Sequence, residues 1–215
     1  MDVKKTLVPT IMAVATLVVL VVGATYAYFS VTGTNNFGTK TITASAPTVG
    51  SVALSSGTAL TMNLTAQQMM KGSSDITYYA TASGTSTTAS SPVMATAAVT
   101  GDGTFSCDYT FNIAASSTGT NMYTAFQGMS TKSTGQIVLT VTPFGGTATT
   151  VDFNTASAFP KTISGTVTGL TKSASKTVTA QLKFVNKKDI NQDALQGTDI
   201  ILTFTATAFT CTATA

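Results

Sequence analysis

The stretch "TFSCDYTFNI", residues 104–113, decides the fold class: Phe105, Cys107, Tyr109, Phe111 and Ile113 alternate with Ser106, Asp108, Thr110 and Asn112. Successive side chains of an extended strand point to opposite faces, so this pattern buries one face and wets the other. The same period recurs in Ile137, Leu139 and Val141, in Val178, Ala180, Leu182 and Phe184, and in Ile200, Leu202, Phe204 and Ala206. Strands with one wet face belong to antiparallel sheets. Weaker strand patterns lie at 39–46, 49–55, 76–82, 93–100, 147–153 and 162–168, separated by Gly, Ser, Asn and Pro clusters. Helical signal is confined to 64–72, 121–129 and 189–197. The expected fold is all-β, a jelly-roll-like antiparallel β-sandwich spanning residues 39–215.

Composition narrows the chemistry. Of 215 residues 43% are apolar, enough for a core, but only 9% are charged, against roughly a quarter in an ordinary soluble domain. The chain has no His, Glu, Arg or Trp; its eight acids are all Asp and its eleven bases all Lys. Without His there is no Ser-His-Asp or Cys-His arrangement and no imidazole ligand. Without His and Glu there is no HExxH zinc site. The aspartates are scattered and form no D-x-D-x-D-G calcium loop. The expectation is a non-enzyme without cofactor or metal. Nucleic acid is not an expected partner either, because the lysines are dispersed and no Arg fork is present. Lys187-Lys188 reads as a solvated loop face.

The N-terminus is of another kind. Two lysines precede Leu7–Val22, about 16 nearly continuous apolar residues, which fits the hydrophobic region of a signal peptide better than a span of roughly 20. Thr25-Tyr26-Ala27 supplies small residues at the two positions a signal peptidase reads, so residues 1–27 are expected to leave by cleavage after Ala27, with Val22-Gly23-Ala24 as a second candidate cut site. An uncleaved anchor is the rival reading. On the cleavage reading the protein is secreted, contacts a membrane only through this segment, and keeps nine Lys and seven Asp once Lys4, Lys5 and Asp2 are removed.

Cys107 and Cys211 are the only cysteines, and an even number in a secreted chain points to a disulfide. Cys211 is out of phase with Leu202, Phe204 and Ala206 but in phase with Phe209 and Ala213; a bulge near Ala208-Phe209 would turn it inward. Free buried thiols and an intersubunit bond are the alternatives.

Two segments carry a family likeness. "GATYAYFSVTGTNNF" (23–37) resembles the signal junction and mature start of TasA-type biofilm matrix proteins, camelysin-like proteins and archaeal bundling pili, and "QGTDIILTFTATAF" (196–209) resembles their last strand. The likeness is confined to these two ends of the chain. It implies a jelly-roll subunit of an extracellular filament, a homopolymer joined head-to-tail by donor-strand exchange, with other matrix or cell-surface components as further partners. The protease activity ascribed to some camelysin-like relatives does not carry over to a chain lacking His and Glu. Residues 28–38 would be the donor: Tyr28, Phe29, Ser30 and Val31, then Phe37.

The residues agree by themselves. From Tyr28 the odd positions are Phe29, Val31, Gly33, Asn35 and Phe37, so one edge of an extended peptide presents two apolar pegs, a gap and a third. Each buried peg is worth about 1.5–3 kcal/mol, and main-chain bonds of an added strand supply register. The plainer alternative makes 28–38 the first strand of its own domain or a frayed tail. A rival function is a monomeric, surface-displayed adhesin or glycan-binding sandwich using Tyr78-Tyr79 or Tyr123-Phe126 as stacking platforms.

Overall fold

The structure, a computed structural model, describes residues 50–70, 73–155 and 159–214, together with the backbone of two short strands at 28–32 and 40–42. The signal segment 1–27 with Ala27, and Phe37, lie outside the described residues.

Fourteen strands make up the described fold: β1 (Tyr28–Thr32), β2 (Lys40–Ile42), β3 (Ser51–Ser56), β4 (Leu60–Asn63), β5 (Ile76–Ala80), β6 (Thr85–Ser86), β7 (Val93–Thr100), β8 (Thr104–Ser116), β9 (Thr120–Asn121), β10 (Ile137–Thr142), β11 (Thr149–Asp152), β12 (Lys161–Leu170), β13 (Lys176–Asn186) and β14 (Thr198–Thr214). Short helices α1 (Ala66–Met69) and α2 (Met122–Gly128) and a 3₁₀ turn at Asp193–Leu195 cap the ends. One sheet runs β1-β14-β8-β12, with β4 and β9 also on β14. The other runs β11-β10-β13-β7-β3-β2, with β5 on β13 and β6 on β5. Of these strand pairings only β9–β14 is parallel. The product is an all-β, jelly-roll-like sandwich whose first and last described strands are neighbours in one sheet.

Alternation in the sequence becomes burial in the fold. β8 buries Phe105, Cys107, Tyr109, Phe111 and Ile113; β13 buries Val178, Ala180, Leu182 and Phe184; β10 buries Ile137, Leu139 and Val141. These faces meet in one continuous core. The strand expected at 93–100 is β7, residue for residue. The sequence pattern does not mark β4, β6 and β9, each of four residues or fewer, too short for a period to show. α1 is correspondingly shorter than the helical signal of 64–72; a capping box starts it, Thr65 accepting from the Gln68 N–H while the Gln68 side chain accepts from the Thr65 N–H.

The expected bulge is present, one residue earlier than its sequence signal. Ala206 stands opposite Phe111 and Ala208 opposite Thr110, so Thr207 is the extra residue. Past it the inward phase passes from Ile200, Leu202 and Phe204 to Phe209 and Cys211, all buried. Cys211 then lies directly opposite Cys107, and the two form a disulfide across neighbouring strands. The bond fits an oxidising environment outside the cytoplasm. Both cysteines are fully buried, and the bond closes a separation of 104 residues. In the chain-entropy account such a loop stabilises by about 4–5 kcal/mol. Replacing both cysteines with alanine should lower unfolding free energy by about that amount in denaturant titration. With the natural pair, dithiothreitol should reduce the bond only under conditions that also unfold the domain.

Candidate functional site

β14 is the longest strand, 17 residues, and its two sides are paired unequally. On one side β8 follows it without interruption except for the bulge, from Ile201–Ser116 to Thr214–Thr104. On the other side β4 covers Asp199–Leu202 and β1 covers Ala208–Thr212. Among the described residues no strand pairs with Thr203–Thr207 on that side. In an antiparallel strand such residues leave their outward N–H and C=O groups without ladder partners, which makes the stretch a template for another chain.

The structure places the expected donor residues on this edge, within the same chain. Tyr28, Phe29, Ser30, Val31 and Thr32 stand opposite Thr212, Cys211, Thr210, Phe209 and Ala208. Rows of register therefore cross the sheet: Phe29–Cys211–Cys107–Val167, and Val31–Phe209–Tyr109–Gly165. Cys211, Cys107, Val167, Phe209 and Tyr109 are the inward, buried members of these rows. In the single chain, then, residues 28–32 are the edge strand of their own domain.

Beneath the edge the floor is rigid. Phe144 has φ of 48°, a left-handed conformation that costs a bulky residue strain. Its ring is buried against Tyr109, Phe111 and Phe209, with centroid separations of 5.0, 5.9 and 6.3 Å, and this packing holds the conformation. Gly165 is needed opposite Tyr109, because a Cβ there would come within 2.5 Å of the phenol oxygen. Burial also pushes the Tyr109 hydroxyl to titrate above its ordinary value.

At the uncovered stretch a cavity of about 180 Å³ opens between Ser56–Ala59 and Thr203–Thr205, with Met94 and Phe204 among its lining. Gly57 permits this rim: its backbone lies so close to β7 that a Cβ would collide with the Val93 carbonyl, and its N–H donates to Met94 O at 2.9 Å.

The far end of the edge is pinned by Asp199, the buried carboxylate of β14. It accepts from the Thr118 N–H (2.7 Å), the Thr118 hydroxyl (2.8 Å) and the Gly119 N–H (3.1 Å), tying the turn after β8 to the start of β14. Burial disfavours its charge, but these donors outweigh that effect and hold its pKa below the ordinary value. On the solvated loop face, Lys187 pairs with Asp75 at 2.9 Å, and Asp75 also accepts from the Lys188 N–H, which with that pair holds its pKa below the usual range.

The aromatic platforms of the rival reading are largely packing. Tyr78 is buried and stacks on Phe184. Phe126 is fully buried, and Tyr123 packs edge-on against Phe153 and Phe159. Among the described residues no three His, Cys, Asp or Glu side chains come together as metal ligands would. Sequence reasoning missed Phe144, Gly57 and Asp199.

The Asp199 arrangement has a pH signature. A depressed carboxyl pKa contributes stability that is complete above the unfolded value, ~3.9, and is lost as pH falls through the folded value. Asp199→Asn should therefore cost about 1–3 kcal/mol at pH 7, and the gap to the unsubstituted protein should narrow as pH drops below ~4, read by thermal unfolding across pH. No family model matches this chain, and neither a curated protein nor a solved structure matches it.

Proposed function

We propose that this protein is the structural subunit of an extracellular filament, secreted by signal cleavage after Ala27 and polymerised head-to-tail by donor-strand exchange of the segment beginning at Tyr28. One observation carries the reading: the Ala208–Thr212 part of the β14 edge is paired by a five-residue strand that comes from the very start of the expected mature chain. A strand at a chain end, separated from β2 by seven residues, can leave its own sheet and occupy the same edge of a neighbour, because every backbone bond it breaks in one molecule is remade in the next. The contact joins an N-terminal segment to a different surface, so it is heterologous and propagates rather than closing.

The surroundings favour the same conclusion. Phe29 and Val31 stand in register with Cys211 and Phe209, the buried positions of β14. The strand they pair with is stapled to β8 by the disulfide. An acceptor that is already ordered loses little conformational entropy on binding. The likeness to TasA-type matrix proteins points the same way.

The test is electron microscopy of secreted material together with N-terminal sequencing. Filaments whose subunits begin at Tyr28 are expected. A chain lacking residues 28–37 should remain a folded monomer with its disulfide intact. Filaments of undiminished length from that deletion would overturn the proposal.

A further inference from the structure

The uncovered part of the β14 edge and the cavity at its end have the dimensions of the rest of the Tyr28–Phe37 segment. β1 pairs with β14 only as far as Thr32 opposite Ala208. A strand continuing in that direction meets the bulge at Thr207, which β8 accommodates by skipping it. Skipped in the same way, Gly33 falls opposite Ala206, Thr34 opposite Thr205, Asn35 opposite Phe204 and Asn36 opposite Thr203. The next residue, Phe37, arrives where Leu60 of β4 already holds Leu202. It must turn off the sheet there, at the mouth of the cavity between Ser56–Ala59 and Thr203–Thr205.

The phase is preserved along the whole run. With the bulge skipped, Phe29, Val31, Gly33 and Asn35 match Cys211, Phe209, Ala206 and Phe204, the core-side positions of β14. Without the skip, Thr34 would stand opposite Ala206, and the residues beyond the bulge would change face. The run between its first residue and the turning point thus uses all the edge that β4 leaves open.

The cavity suits the residue that ends the run. A benzene ring fits a cavity of about 150 Å³; this open cleft measures about 180 Å³, and the buried Met94 and Phe204 give it an apolar base between the hydroxyl-bearing Ser56, Thr58, Thr203 and Thr205. Its rim is open to incoming chain, since Gly57 and Thr58 are exposed.

We propose that this cavity is the anchor site for Phe37 of a second copy of the chain. The anchor rests on the donor-strand reading of the function and adds to it the residues that terminate the joint. Seating the ring fixes the register of the incoming strand, because a slip of one residue would move Phe37 off the cavity and turn Phe29 and Val31 away from the core face.

Two preparations of the secreted, processed protein test this, one Phe37→Cys and the other Thr58→Cys, mixed under mild oxidation and separated without reductant. A covalent dimer that requires both preparations is expected, and Phe37→Ala alone should weaken subunit association by about ten- to a hundredfold. If filaments form yet no mixed dimer appears and Phe37→Ala assembles normally, the anchor assignment is wrong while donor-strand assembly stands. If the unsubstituted protein forms no filaments, both fail.

Discussion

A strand is stable only where its backbone groups are paired on both sides or reach water, and β14 is where this constraint bears hardest. At roughly 3.4 Å per residue, its 17 residues run the length of the sandwich. β8 matches it on one side because the two share a thirteen-pair register. On the other side β4 and β1 together supply nine pairs. The rest of the sheet is organised around this inequality. The connection after β8 is tied back to Asp199, β4 stops at Leu202, and the cavity opens at the first unpaired position beyond it.

How β14 is held determines what its edge can offer. The disulfide fixes Cys211 to Cys107 at the depth of the core, and Phe144 closes the space beneath Phe209 and Tyr109. Both devices act below the last third of the strand, the part that β1 covers. The bulge at Thr207 is what allows them: without that extra residue Cys211 would point to solvent and no bond to Cys107 could form. Natural edges are commonly guarded by lysines or prolines. Between Thr203 and Thr214 this edge carries neither; the bulge at Thr207 and the pairing with β1 interrupt it instead.

Much of the fold was legible in the sequence because period-2 alternation is a direct consequence of pleating. The segments from Phe105 to Ile113 and from Val178 to Phe184 could bury no other face. The cysteine parity also carried information, since only a bulge reconciles Phe204 with Cys211; its position slipped by one because threonine and alanine are equally at home at the extra residue. β4 was illegible for a different reason. Four residues, Leu60–Asn63, hold too few alternations for a period to show. Phe144 and Asp199 act through partners far away in sequence, rings on β8 and β14 and a turn at Thr118, so nothing local marks them. Near the candidate site the extended character of Tyr28–Thr32 could be read in advance. The edge of β14 that it pairs with could not, because that edge is formed by residues about 180 positions away.

On the proposed donor-strand assembly, the arithmetic of exchange would give the open stretch a use. A strand tethered by a short linker to its own domain competes at an effective concentration in the millimolar range. A neighbour present at micromolar concentration must therefore offer about 4 kcal/mol more than the strand's own edge does. Identical pairing in both molecules supplies none of that difference. Four further edge positions, Thr203 to Ala206, and a seated Phe37 ring would: such a ring is worth about 1.5–3 kcal/mol, and each added backbone bond about 0.5–1.5 kcal/mol. A longer pairing made across two subunits than within one would thus favour the polymer. A monomer that filled its whole edge by itself would have no such incentive to exchange.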